Sequence, residues 1–140
     1  GQIKNTPNTL GYVDLVYAVQ NKLPVAQIKN GSGTFVAPSI EAVTAAAAAS
    51  AGNTPDDLRV SITNAAGAAT YPISSYTYIL LYKNQKDAAK GKAVVDFVWW
   101  GIHDGEGFAK DLQYAPLPAD IVKRAEAKLN SITAGGAPLR

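Results

Sequence analysis

Asn30-Gly31-Ser32-Gly33-Thr34-Phe35 is the stretch whose residue types come nearest to binding chemistry. Glycines alternating with small hydroxyl residues can aim successive backbone N–H groups at one oxyanion, as phosphate cradles do. Such a cradle normally opens a helix, whose macrodipole adds positive potential behind the anion. Here Phe35-Val36-Ala37-Pro38 follows, and the proline arrives too soon for a helix. Asn30-Gly31 between apolar flanks is instead the strongest short-range hairpin signal, since both positions tolerate positive φ. The stretch is therefore assigned to a turn between two strands in Val25–Ser39, with no anion at Gly31 to Thr34.

The remaining chemically capable residues also take structural readings. His103 is the only histidine and has no second metal-type ligand at helical spacing, so it reads as a helix C-terminal cap beside Asp104. Trp99 and Trp100 are adjacent on a helix and diverge by about 100°, which makes one core and the other rim. Asp56-Asp57, after Thr54-Pro55, reads as a helix start. Lys83, Lys86, Lys90 and Lys92 read as a solvated surface. Ser74-Ser75 has no histidine or lysine base nearby in sequence, so neither serine is expected to be a nucleophile. No nucleophile–base pair and no metal constellation is visible, and the reading is of a non-enzyme without a cofactor.

Composition narrows the class. The chain has 140 residues, 47% apolar and 17% charged, enough for one folded domain or a piece of one. Its formal charge of +2 comes from thirteen evenly spread Lys and Arg, which excludes a basic stripe for nucleic acid. With no cysteine there is no disulfide framework and no thiolate site. No apolar run approaches the ~18 residues of a membrane span. The chain opens with Gly-Gln-Ile-Lys rather than Met or a signal region, so an upstream portion is expected.

The elements that must position these residues divide near residue 70. Gly11-Tyr12-Val13 reads as a short strand, with Asp14 capping a helix through Leu15, Tyr17, Ala18 and Val19 that stops before Pro24. Ser39 reads as the N-cap of an alanine-rich helix ending at Gly52. In Ile73 to Lys83, Tyr76, Tyr78, Leu80 and Tyr82 fall on one face and Ile79 and Leu81 on the other, the pattern of a strand covered on both sides. A further helix carries Val94, Val98 and Ile102, with Gly105 as its C′ residue. The last carries Val122, Ala125, Leu129 and Ile132, with Pro118 in the first turn, and the tail Thr133–Arg140 is expected to fray. Strands alternating with helices make the class α/β.

Three strings resemble a known family: "TPNTLGYVDLVYAVQNKLP", "ITNAAGAATYPISSYTYILLYKNQ" and "VVDFVWWGIHDGEGFAKDLQYAPLPADIVKRAEAKL". They look like the carboxy-terminal part of the periplasmic phosphate-binding proteins of bacterial phosphate ABC transporters. That family shows a T-P-x-x-[IL]-G-Y-V segment, a Y-P-[IL]-[ST]-S strand and a D-L-x-Y-x-x-L-P element, and co-linear matches run from Gly1 to Ile132.

The resemblance implies a two-lobed periplasmic binding protein fold (type II-like), incomplete without an upstream segment. Residues 1–70 would end the second lobe, and residues 71–140 would complete the first, with Tyr71-Pro72-Ile73 as the returning hinge strand. It implies capture of inorganic phosphate for an ABC permease, in a periplasmic or extracellular setting. It also implies that this chain holds none of the ligand-binding residues, because the family's phosphate ligands lie upstream of the equivalent of Gly1. Ile28-Lys29-Asn30 stands where the family's Arg-x-Asp would have to precede Ser-Gly-Thr. Partners would be the amino-terminal part of the same protein, or, if the chain is a processed fragment kept as a structural subunit, further copies of itself.

Overall fold

The computed structural model describes residues 1–140. Two short helices, α1 (Gln2–Asn5) and α2 (Leu15–Gln20), begin the chain. Asp14 stands at the N-cap of α2 as its residue type suggests, though its side chain makes no capping hydrogen bond. Gly11-Tyr12-Val13 forms no strand. Nothing in the chain pairs with it, and Leu10 and Tyr12 stand fully in solvent.

The hairpin expected at Asn30-Gly31 is present. Strands β1 (Ile28–Lys29) and β2 (Phe35–Val36) pair antiparallel, Ile28 opposite Val36 and Lys29 opposite Phe35. The connection is longer than a two-residue turn, and the positive φ falls on Gly33 (82°) rather than on Asn30 or Gly31. That is the geometry of a longer loop in which a turn is followed by one left-handed glycine.

Helix α3 (Ile40–Ser50) starts where its cap dictates: the Ser39 hydroxyl accepts the Ala42 N–H at 3.1 Å. Ala42, Ala46 and Ala47 are its buried face, where small side chains allow close approach. The helix tightens into a 3₁₀ turn at Ala51–Asn53 and does not use Gly52 as a left-handed stop. Asp56-Asp57 begins no helix. Asp57 accepts the Arg59 backbone N–H at 3.1 Å and its Nε–H at 2.8 Å, making a local turn.

The largest departure from the sequence pattern lies in Ile73 to Lys83, which forms no strand. None of the backbone N–H groups from Ile73 to Tyr82 donates to a backbone carbonyl. Side chains alone line the first part against Val60–Asn64, through Tyr78 Oη with the Val60 carbonyl at 2.9 Å and Thr63 Oγ1 with the Ser74 carbonyl at 3.3 Å. A strand exists only as part of a ladder, and beyond Tyr78 no neighbour supplies one. Ile79, Leu80 and Tyr82 are consequently exposed, Leu80 at 92%.

Pairing begins only at β3 (Asn84–Gln85), the edge of a three-stranded sheet in the order β3, β4 (Thr133–Ala134), β5 (Ala137–Pro138). β3 and β4 are parallel, joined by a crossover through α4 (Ala88–Gly101) and α5 (Ala119–Asn130). The tail does not fray. Gly135 and Gly136 at φ 57° and 85° make a two-residue turn that folds β5 back on β4. Mixed helix and sheet therefore give an α/β class, as the alternating pattern suggested.

Asp87 caps α4 by accepting the Lys90 N–H at 3.0 Å. The inward residue is Val95, fully buried, rather than Val94. It meets Leu129 and Ile132 to form the core, with Leu81, Val98, Trp99, Ile102 and Leu139 around it. Val94 is 40% exposed, so the apolar stripe read at Val94 is one residue out of phase at its start. On α5, Ile121 and Leu129 are buried, whereas Val122 and Ala125 only flank them. Gly105 lies in a 3₁₀ turn (Asp104–Phe108) and is not a C′ residue.

The chain exposes 9515 Å². A compact monomer of 14.7 kDa is expected to expose only about 6,900 Å². The excess is roughly 2,600 Å², more than three times the ~800 Å² that each partner covers in an ordinary interface.

Tyr76 carries one further anomaly: its hydroxyl is buried and has no hydrogen-bond partner. Burial, then the neighbouring Tyr78, raises its pKa. An orphaned hydroxyl costs about 1–3 kcal/mol, so Tyr76→Phe is expected to leave the thermal midpoint unchanged or raise it. A drop of several degrees would mean that the hydroxyl is satisfied.

Candidate functional site

The loop Asn30–Thr34 is the feature that had to be tested for anion binding, and its backbone donors are already used. Gly31 N–H donates to Asn64 Oδ1 at 2.7 Å, and Ser32 and Thr34 N–H donate to Asn30 Oδ1 at 3.0 and 3.1 Å. Gly33 N–H donates to the Asn30 carbonyl at 2.9 Å. All four amides that could face an oxyanion point at protein oxygens. Binding an anion there would require breaking them, so the loop is a turn and not a cradle.

Asn30 is the hub of this corner, only 5% exposed. Its Nδ2 donates to the carbonyls of Gly67, Ala68 and Thr70, each at 3.1 Å. Thr70 closes the same corner through its own hydroxyl, whose single proton is shared between the Ala65 and Gly67 carbonyls at 2.7 and 2.8 Å. The role of Asn30 was missed in the sequence because its partners lie up to 40 residues away.

Two shallow grooves offer little else. One, of about 530 Å³, is lined by Ile40, Glu41, Thr44, Ala45, Lys110 and Leu117. Its lysine stands with a carboxylate whose pKa is held down by the Glu41 backbone N–H and the Ser39 hydroxyl. The other, of about 580 Å³, has Lys92 paired with Asp96 at 2.7 Å. Neither presents an uncompensated cation to an anionic ligand. Ser74 is buried with its hydroxyl donating to the Tyr71 carbonyl at 2.8 Å, and no base is in contact with it. Lys83, Lys86, Lys90 and Lys92 are all exposed.

No family model matches the chain. It is 40% identical over 125 residues to phosphate-binding protein PstS of Xylella fastidiosa strain 9a5c, covering 89% of this chain and 34% of that protein. Phosphate-binding protein PstS of Pasteurella multocida is 36% identical over 86% of this chain and 35% of its own length. The archaeal counterpart from Methanocaldococcus jannaschii is 34% identical over 93% of this chain and 36% of its own length. This chain is homologous to phosphate-binding proteins. It spans about a third of the length of these relatives, a coverage consistent with their carboxy-terminal portion. These three relatives are named as binding proteins; a protein of Acanthamoeba polyphaga mimivirus named as a putative serine/threonine-protein kinase/receptor is also 30% identical over 96% of this chain, but over only 8% of its own length.

In this homologue of the phosphate-binding proteins, His103 acts as the helix cap its position suggested. Nδ1–H donates to the Trp99 carbonyl at 2.7 Å, and the ring stacks on Trp99 with centroids 4.5 Å apart. Its other nitrogen faces Glu126 Oε1 at 2.8 Å, a tie from α4 to α5 that the sequence did not announce. Trp99 packs on the core while Trp100 is 43% exposed. The bond to the Trp99 carbonyl, then the Glu126 carboxylate, raises the pKa of His103, with Asp104 adding to it.

When the ring is neutral and Nδ1 keeps its proton, Nε2 turns a lone pair toward the carboxylate. Protonation removes that conflict. The His103 contribution to stability is thus fully present below the unfolded value of about 6.5 and is lost as pH rises through the higher folded value. The unfolding midpoint is expected to fall across that window, and Glu126→Gln is expected to flatten the slope. An unchanged slope in that variant would remove Glu126 from the account.

Proposed function

We propose that this chain is part of a phosphate-binding protein that captures inorganic phosphate for uptake by an ABC permease, outside the cytoplasmic membrane, and that it cannot bind the ligand alone. In this reading the remaining two thirds of the relatives' length supply the phosphate ligands. Residues 1–70 finish the second of two α/β lobes, and residues 71–140 return to complete the first. The role is non-enzymatic and needs no cofactor.

One observation carries the proposal: the surface excess of roughly 2,600 Å² over a compact monomer of this mass. It includes the segment through Ile79, Leu80 and Tyr82, whose unpaired backbone and two-sided apolar pattern suit a strand inside a sheet. It also includes the outer face of α4, where Phe97 and Trp100 stack at 5.9 Å and Phe108 lies 6.1 Å from Trp100. Clustered exposed aromatics of this kind suit a face that another surface covers. The satisfied loop at Asn30–Thr34 supports placing the phosphate ligands elsewhere. No helix in the chain is long and apolar enough to cross a membrane.

The test is reconstitution. Joining the chain behind the preceding two thirds of the Xylella relative should give a protein that binds phosphate and protects the backbone amides of residues 76–82 from hydrogen exchange. A folded chimera that binds no phosphate would overturn the reading. Self-association of the 140-residue chain that buries the same segment, with no gain on reconstitution, would favour a structural subunit instead.

A further inference from the structure

Asn30 is the only one of the eight asparagines followed by glycine. An Asn-Gly pair is the sequence most prone to intramolecular deamidation, because the glycine amide nitrogen meets no Cβ on its way to the asparagine side chain. In the fold this pair is immobilised from both sides. The Asn30 side chain is held by five contacts, its two Nδ2 protons shared among three carbonyls and its Oδ1 accepting two amides. The would-be nucleophile, the Gly31 nitrogen, has its N–H committed to Asn64 Oδ1 at 2.7 Å. The side chain is 5% exposed, which also keeps out the water and base that the reaction needs.

We propose that Asn30-Gly31 is a modification site gated by unfolding: deamidation is shut off in the folded chain and, once it has occurred, prevents the chain from folding again. In the opened chain the Gly31 nitrogen loses its proton to solvent base and forms a bond to Asn30 Cγ. The bond from Cγ to the side-chain nitrogen breaks, and that nitrogen leaves as ammonia with a proton from water. Water then opens the succinimide at either carbonyl, giving aspartate or isoaspartate at position 30.

The consequence follows from the geometry. The three carbonyls of Gly67, Ala68 and Thr70 converge on a donor, and a carboxylate offers none. It places negative charge against three carbonyl oxygens instead, in a largely dry corner. Isoaspartate additionally lengthens the backbone inside a loop whose amides are all assigned. The chain thereby carries a permanent record of having been open, and that record is independent of any phosphate chemistry.

The test follows ammonia loss by peptide mass spectrometry on the full 140-residue chain at mildly alkaline pH, in native buffer and in urea. Deamidation in the peptide containing Asn30 is expected to be slower in native buffer by at least tenfold, the ratio set by an opening free energy of about 1.4 kcal/mol. Asn53-Thr54 and Asn64-Ala65 serve as internal controls that react slowly in both conditions. After dilution from urea, unmodified chains should regain native hydrogen-exchange protection at residues 28–36, and deamidated chains should not. Equal rates in the two conditions would overturn the gate. Full recovery of protection by deamidated chains would overturn the lock.

Discussion

Asn30→Ala is expected to destabilise the chain by about 3–5 kcal/mol, near the upper end for one substitution, with the urea midpoint falling in proportion. Truncation removes the donor to three carbonyls and the acceptor for the Ser32 and Thr34 amides. Each net hydrogen bond is worth about 0.5–1.5 kcal/mol, and each buried group left unpaired costs about 1–3 kcal/mol. Water can reach the edge of the loop, which keeps the total below the simple sum. Asn64→Gly is the control, because it removes the acceptor of a single exposed bond from Gly31 while tolerating the φ of 51° at that position, and should cost about 1 kcal/mol. Equal losses from the two substitutions would show that Asn30 is an ordinary turn residue.

That contrast marks how far the sequence could be read. What depends on neighbours within one turn was legible: Ser39 had to cap α3 because its hydroxyl reaches the Ala42 amide. The turn at Asn30 was legible for the same reason. The hub was not, since the three carbonyls that make Asn30 indispensable arrive from residues 67–70. Helix phase is also set at a distance. Both Val94 and Val95 are apolar, and only the position of Leu129 and Ile132 decides which one is buried. The tail was misread although its signal was local, because Gly135-Gly136 favours a tight turn as readily as disorder.

The segment Ile73 to Lys83 is a different kind of departure. Its alternating tyrosines and opposing Ile79 and Leu81 state a strand with both faces covered, and the pattern remains valid as a description of what the residues require. The chain lacks the neighbours that would satisfy it. Sequence pattern reports the environment a segment is adapted to, whereas backbone pairing reports what lies beside it. Where the two disagree over ten consecutive residues, the missing environment is itself information, and here it agrees in direction with a surface of 9515 Å² on a 14.7 kDa chain.

Isothermal titration of the isolated chain with phosphate is expected to show no binding in the micromolar range. Micromolar affinity requires about −8 kcal/mol after the entropic costs of association. A phosphate reaches that through several charge-assisted hydrogen bonds of roughly 1.5–3 kcal/mol each, from groups preorganised around it. This chain does not assemble such groups: the amides of Gly31 to Thr34 are spent on Asn30 and Asn64, Lys92 is paired with Asp96, and Lys110 shares its groove with Glu41. Arg59 and Arg140 are likewise engaged, by Asp57 at 2.6 Å and by Asp96 at 3.3 Å. Opening any one of these sites would cost hydrogen bonds comparable to those gained, leaving weak, salt-sensitive attraction to exposed lysines. Micromolar binding by the isolated chain that survives physiological salt would refute the proposal that the ligands lie outside it.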